Sequence, residues 1–128
     1  MPRYVILRHD TPSGFPRPAH WDFMLEEGDH LRCWALMNPP DSGQSQPAEP
    51  LGDHRLAFLD YEGPLTRDRG SVRRWDQGTY DPVSNSSGED QLVLELTGAR
   101  LRGRVTLSKI PDEPRYWRFS FSPVGSIA

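Results

Sequence analysis

Two histidines and an aspartate near the N-terminus are the residues whose types and spacing best suit them to chemistry. His20 and Asp22 are two positions apart in a strand-like segment, so on a strand both side chains would point to the same face. His9 ends the preceding apolar run, and the short connection between the two runs can bring it beside His20. Two imidazoles and one carboxylate can hold a divalent transition metal and leave positions open for a substrate. The alternative is a hydrogen-bonded polar pair on the surface of the sheet.

The elements that must position these residues are short strands. Apolar or alternating runs end repeatedly at Gly, Pro, Asn or Asp, and no segment has a sustained period of 3.6 residues with caps. The pattern predicts seven or eight strands in a small, mainly β antiparallel barrel or sandwich with little helix. The expected strands cover residues 4–8, 21–26, 31–36, 55–61, 71–75, 91–97, 101–108 and 116–121.

The length of 128 residues suits one domain, which we expect to span residues 1–128. Two segments interrupt the rhythm of strands. Residues 39–50 lack apolar anchors, and residues 81–90 are rich in Asn, Ser and Gly at their centre. Both are predicted to be mobile loops.

The composition restricts the class of partner and the compartment. A net charge of −3 argues against a protein covered in basic charge for duplex DNA, although every cation except Lys109 is an arginine. The single cysteine, Cys33, cannot form an internal disulfide, and no apolar run has transmembrane length. We therefore expect a cytoplasmic protein with no membrane contact, most simply a monomer. The four tryptophans sit inside strand-like runs and are expected to be core rings.

Six motifs in collinear order extend the observation at His20 and Asp22. The first is His-Asp followed by His-Trp-Asp-Phe-Met-Leu-Glu, at residues 9–10 and 20–26. The others are Cys-Trp-Ala-Leu (33–36), Gly-Asp-His-Arg-Leu-Ala (52–57), Asp-Tyr-Glu-Gly (60–63), Trp-Asp-Gln-Gly-Thr-Tyr (75–80) and Leu-Thr-Gly-Ala-Arg-Leu-Arg-Gly (96–103). Together they resemble the 3′-phosphoesterase domain of bacterial DNA ligase D, from about residue 4 to residue 121.

The resemblance implies an enzyme that heals nucleic-acid 3′ ends on a small β-barrel. Such a domain removes a 3′-terminal ribonucleotide and then the remaining 3′-phosphate, using Mn²⁺ or another transition metal such as Zn²⁺. By the motif match, His9, His20 and Asp22 are the expected metal ligands, and Arg55 is expected to contact the phosphate. The implied partners are nucleic-acid 3′ ends and a separate ligase or polymerase.

This sequence also departs from the family pattern at positions that supply cations. The family has an arginine at the position of Met24 and a lysine at the position of Asn38. The segment between Arg55 and Asp60 is about nine residues shorter, and the missing part carries a further histidine and an acidic residue. We therefore expect weakened phosphate contacts, and we expect the substitution Met24→Arg to restore one of them. Arg8, Arg67, Arg69 or Arg73 could replace the missing cations, but the sequence does not place them relative to the site.

Two other functions are compatible with the same residues. The first is a catalytically weakened module that binds nucleic-acid ends or a repair complex. The second is a non-haem iron oxygenase, in which His20, Asp22 and His54 would form the ligand triad. On the sequence, His54 is more simply a polar residue at the start of a strand.

Overall fold

The computed structural model describes residues 1–83 and 90–125, which form nine strands and one short 3₁₀ helix. The strands are β1 (Arg3–Asp10), β2 (His20–Glu27), β3 (His30–Leu36), β4 (Gln46–Arg55), β5 (Gly63–Pro64), β6 (Ser71–Pro82), β7 (Gln91–Gly98), β8 (Arg102–Ile110) and β9 (Glu113–Pro123). The 3₁₀ helix is Leu56–Leu59. Within the described ranges we find no helix with the length and apolar character that a membrane crossing requires.

Eight of the strands close into an antiparallel barrel. Their order is β1-β2-β3-β4-β9-β8-β7-β6, and pairing of β1 with β6 closes the circle, while β5 adds to β6 outside it. The prediction of a small antiparallel barrel with little helix is confirmed, and the closure of β1 on β6 excludes the sandwich.

Strand β1 is buried on both of its faces, which creates two apolar layers. Tyr4 and Ile6 point into the barrel, where they belong to the main core with Phe23. Val5 and Leu7 point outward into a second cluster with Met24, Leu31, Cys33, Leu59 and Val72. A β-strand alternates its side chains between two faces, so one strand serves both layers. His9, His20 and Asp22 extend the outward rows of β1 and β2.

The segment predicted as a strand at residues 55–61 is instead the end of β4 followed by the 3₁₀ helix. Its apolar residues resemble an alternating strand, but a 3₁₀ helix repeats every three residues and therefore aligns Leu56 with Leu59. Both side chains pack on the second cluster, with Leu59 only 4% exposed. This segment forms a 3₁₀ helix because its apolar side chains cover the second cluster and do not pair in the sheet.

The prediction of a loop at residues 39–50 is wrong for residues 46–50, because Gln46 begins β4. Gln46 and Ala48 are buried, and the Gln46 amide accepts from Asn38 N at 3.0 Å and donates to Asn38 O at 2.9 Å. A polar side chain thus anchors a segment that lacks large apolar residues. Of the second predicted loop, residues 81 and 82 belong to β6, and residues 84–89 lie outside the described residues.

Candidate functional site

The register of β1 and β2 brings His9, His20 and Asp22 together. His9 and His20 are paired across the two strands, and Asp22 lies two residues along β2 on the same outward face. One ligand atom from each residue lies within 4.8 Å of the others, and all three side chains are buried. The structure thus brings together the three residues that the sequence predicts as metal ligands.

Hydrogen bonds to the backbone determine which ring nitrogens of the two histidines face Asp22. His9 donates from Nε2 to Arg69 O at 2.7 Å, and His20 donates from Nδ1 to Pro18 O at 2.8 Å. Because a carbonyl oxygen only accepts, the protons of the neutral rings lie on these outer nitrogens. The inner nitrogens, His9 Nδ1 and His20 Nε2, are then bare acceptors that face a carboxylate. A backbone carbonyl that orients a histidine in this way is typical of metal-binding imidazoles.

The distances among these acceptors suit a shared cation. His20 Nε2 lies 3.0 Å from Asp22 Oδ1, and His9 Nδ1 lies 3.5 Å from Asp22 Oδ2. Ligand atoms about 2.1 Å from a common ion are at most about 4.2 Å apart. Both histidine–aspartate distances are below this limit, and the widest spacing in the cluster, up to 4.8 Å, requires only a small inward movement of the side chains. Asp22 Oδ1 is buried and has no hydrogen-bond partner among the described residues, since Nε2 of a neutral His20 carries no proton. The donor set therefore fits a divalent transition metal.

The same arrangement favours charge at the site. Burial alone would raise the pKa of Asp22, but the imidazoles of His20 and His9 outweigh it and lower the pKa to about 2. Burial alone would lower the pKa of His9, but the contacts with Asp22 and with the Arg69 carbonyl outweigh it and raise the pKa. Asp22 therefore remains ionised near neutral pH and attracts either a proton onto His9 or a metal ion.

The three residues open into a cavity of about 200 Å³, which we call the metal-site cavity. Its wall includes two arginines: Arg17, which the sequence did not indicate, and Arg69, one of the four candidates for a replacement cation. Arg17 donates from Nε and Nη2 to Glu49 Oε1, and Arg69 donates from Nε and Nη2 to Thr66. Each guanidinium is therefore oriented by a second group. No local signal marks Arg69, because it lies in the turn before β6 and reaches His9 across 60 positions of sequence.

His54 also lines the metal-site cavity, although on the sequence it is more simply a polar residue at the start of a strand. It is paired with Leu31 across β3 and β4, and Leu31 belongs to the outward cluster, so His54 shares the outward face. Its Nδ1 contacts Gly52 O at 2.7 Å. In the part of the chain that the structure describes, the potential metal cluster contains His9 and not His54. The oxygenase triad of His20, Asp22 and His54 is therefore not assembled.

Arg55 lies in an adjoining cavity rather than in the wall of the metal-site cavity. This second cavity, also of about 200 Å³, is lined by Arg55, Ala57, Phe58, Tyr61, Pro64, Leu65, Thr66 and Arg69. Phe58, Leu65 and Arg69 border both cavities. Arg69 is thus the cation that borders both cavities, whereas Arg55 borders only the second.

Met24 lines the metal-site cavity, on the same strand face as Asp22. It is 1% exposed and packs within the second apolar cluster. The position at which the family pattern has an arginine is therefore part of an apolar layer in this chain.

Comparison with known proteins identifies the family of this chain. The model of the DNA Ligase D 3′-phosphoesterase domain matches residues 8–109, a range that contains His9, His20 and Asp22. The multifunctional non-homologous end joining protein LigD of Pseudomonas aeruginosa is 30% identical over 110 residues, which is 80% of this chain. The chain spans 12% of the length of that relative. Because the family model covers most of the chain, the chain belongs to the DNA ligase D 3′-phosphoesterase domain family.

Proposed function

We propose that this chain hydrolyses phosphoesters at nucleic-acid 3′ ends with a divalent transition metal, Mn²⁺ in the first instance, held by His9, His20 and Asp22. The observation that carries the proposal is the convergence of two bare imidazole nitrogens on a buried carboxylate with an unpartnered oxygen. When bound, the metal supplies a Lewis acid that polarises the phosphate. Zn²⁺ would suit the same donor set.

The arginines of the cavity supply the positive charge that a phosphate requires. Arg17 and Arg69 line the wall beside the metal ligands, and both are oriented by hydrogen bonds before any substrate binds. Preorganised donors stabilise charge that develops on the phosphate in the transition state. We infer that these two residues replace the cations lost at Met24 and Asn38.

His54 is the residue best placed to exchange a proton with the substrate. Its Nδ1 faces the Gly52 carbonyl, so the proton of the neutral ring lies on Nδ1 and Nε2 is the acceptor. A histidine that lines the cavity and is oriented in this way suits general acid–base catalysis. We propose that Arg55 binds the substrate from the adjoining cavity, on the other side of Arg69.

The product of this reaction would be a 3′-hydroxyl end. A ligase or a polymerase requires such an end, so we propose a separate enzyme of that kind as the next to act. The relative from Pseudomonas aeruginosa is described as an end-joining protein of which this chain matches only a small part.

The test is manganese-dependent release of phosphate from an oligonucleotide that ends in a 3′-phosphate. Asp22→Asn should reduce turnover by more than about a hundredfold, because it removes the charged ligand and leaves an amide of similar size. Arg69→Gln should reduce kcat/KM by about ten- to a hundredfold, the effect of one charge-assisted contact. Arg67→Gln is the matched control, because Arg67 lies in the same turn but lines neither cavity.

Two results would contradict the proposal. The first is an Asp22→Asn variant as active as the wild type. The second is a folded wild-type protein that is inert with manganese yet still binds 3′-ended strands, which would instead support the binding module.

A further inference from the structure

A second basic site lies on the other face of β1 and β2. Two of the four tryptophans, Trp34 and Trp117, are buried in the core as expected, but Trp21 and Trp75 are only partly buried. They border a groove of about 360 Å³ at the mouth of the barrel. The residues that line this Arg–Trp groove are Arg8, Trp21, Arg73, Arg74, Trp75 and Arg100.

Two of these arginines are stacked on the tryptophan rings. Arg8 Cζ lies 4.2 Å from the ring centroid of Trp21, and Arg100 Cζ lies 3.8 Å from that of Trp75. Stacking restricts the long side chains and presents the outer guanidinium face and its N–H groups to solvent. Less side-chain freedom is then lost when a ligand binds.

The groove has a local excess of positive charge in a protein whose net charge is −3. Its four arginines face three acidic residues at the rim, in contacts of 3.3 Å for Arg8–Asp10, 3.4 Å for Arg73–Asp10, 3.8 Å for Arg74–Glu62 and 3.9 Å for Arg100–Asp41. By comparison, Arg104 meets Glu95 at 2.6 Å. The side chains of Arg73 and Arg100 are 70% and 51% exposed. Each guanidinium has five N–H donors, so one such contact leaves other donors available for a ligand.

We propose that the Arg–Trp groove binds an unpaired, single-stranded segment of the nucleic acid whose 3′ end enters the metal-site cavity. The choice of ligand rests on the proposed function, but the binding itself does not require the metal site. Guanidinium planes and indole rings accept nucleobases by stacking, and guanidinium N–H groups bind the phosphates between them. In a duplex the bases are already stacked on one another, so only unpaired nucleotides can use these planes.

The position of the groove relative to the metal-site cavity supports this ligand. Arg8 precedes His9 in β1, and Trp21 follows His20 in β2, so the two sites lie back to back across the same pair of strands. His9 and His20 form the last residue pair of β1 and β2. A flexible single strand of nucleic acid can bend around this end of the sheet and contact both faces. A duplex is too stiff to follow that path.

The test measures binding of a labelled single-stranded DNA of about 12 nucleotides with a 3′-hydroxyl, by fluorescence anisotropy in buffer without metal. The groove variant is Arg73→Gln with Arg100→Gln, at two exposed positions. The matched control is Arg115→Gln with Arg118→Gln, which removes the same charge from exposed positions of β9, across the barrel from β1.

The groove variant should bind at least tenfold more weakly than the wild type at about 0.1 M salt. The slope of log affinity against log salt should fall by about 1.4, since two phosphate contacts are lost at about 0.7 each for single strands. The control variant should bind within about twofold of the wild type. A blunt duplex of the same length should bind more weakly than the single strand.

Equal loss of binding in the groove and control variants, or no loss in the groove variant, would overturn the inference and leave the proposed function standing. Tighter binding of the duplex would overturn the single-strand assignment. Conversely, groove-dependent binding by a wild-type protein that never releases phosphate would overturn the proposed function and leave the groove as a nucleic-acid site.

Discussion

Among single residues, the two that matter most to the site are Asp22 and His9, whose pKa values shift in opposite directions. The pKa of Asp22 is lowered to about 2 and that of His9 is raised, so the folded protein favours the carboxylate and the imidazolium when no metal is bound. A metal ion and the His9 proton compete for the same position between the two groups. Metal affinity should therefore fall as the pH falls through the pKa of His9.

The pair also predicts how the stability of the metal-free protein depends on pH. The raised pKa of His9 contributes stability that is complete below its ordinary value of 6.5 and is lost as the pH rises through the folded value. The lowered pKa of Asp22 contributes stability that is complete above its ordinary value of 3.8 and is lost as the pH falls towards about 2. The unfolding free energy, measured in urea with a chelator present, should therefore fall as the pH rises from 5.5 to 8.5. Asp22→Asn should remove that dependence, and an unchanged dependence would contradict the assignment.

The surroundings of Met24 reverse the expectation for Met24→Arg. A guanidinium at a position that is 1% exposed and packed within the second apolar cluster would lose most of its hydration. We expect the unfolding free energy to fall by about 2–4 kcal/mol, measured in urea, with no gain in activity. Met37→Arg is the control, because Met37 is 42% exposed and should tolerate the change. A stable Met24→Arg protein that binds phosphate more tightly would show that the guanidinium reaches the cavity.

At the scale of elements, a buried carboxylate ties β6 to β1 and to the turn between β7 and β8. Asp76 is 3% exposed and accepts from Tyr4 Oη at 2.5 Å, Arg100 N at 2.7 Å and Leu101 N at 3.1 Å. A Cβ at Gly98 would lie 1.8 Å from Tyr4 Oη, so only glycine leaves space for this network. The network holds the turn that places Arg100 over Trp75.

Asp76→Ala should therefore destabilise the barrel by about 3 kcal/mol, because it leaves two backbone N–H groups and the Tyr4 hydroxyl without their acceptor. The measurement is the urea midpoint, with Asp81→Ala as the control on an exposed position of the same strand. The variant should also bind single-stranded DNA more weakly, because the backbone of Arg100 loses the hydrogen bond that holds it in place. Equal midpoints for the two variants would refute the structural role of Asp76.

At the scale of the whole molecule, the metal site and the core share the same strands. Val5 and Leu7 pack outward beside the site, and Tyr4 and Ile6 pack into the barrel, all from β1. The site cannot open without disturbing β1, whose pairing with β6 closes the barrel. Folding of the barrel and formation of the site should therefore be one cooperative event.

Manganese should consequently stabilise the entire barrel rather than one loop. At a free metal concentration of 100 times its dissociation constant, the unfolding free energy should rise by about 2.7 kcal/mol, with coincident transitions by circular dichroism and tryptophan fluorescence. Asp22→Asn should show no such rise. A manganese effect of equal size in that variant would place the binding site elsewhere.

Features that depend on near neighbours in the chain can be predicted from the sequence alone. Alternation at period two located most strands and placed His20 and Asp22 on one face, and the order of motifs indicated the family. These inferences hold because side-chain direction along a strand follows from backbone geometry alone.

Features that depend on strand register and on closure of the barrel are set only in the folded protein. Leu56–Leu59 became a 3₁₀ helix because an apolar cluster formed by other strands needed a cover, and Gln46 began a strand because Asn38 bonded its amide. The pairing of β3 with β4 brought His54 to the metal-site cavity, and Arg69 reached His9 across 60 residues. Two tryptophans expected in the core lie at the barrel mouth under arginines. Contacts between residues so far apart depend on how the barrel closes, and no local pattern encodes that.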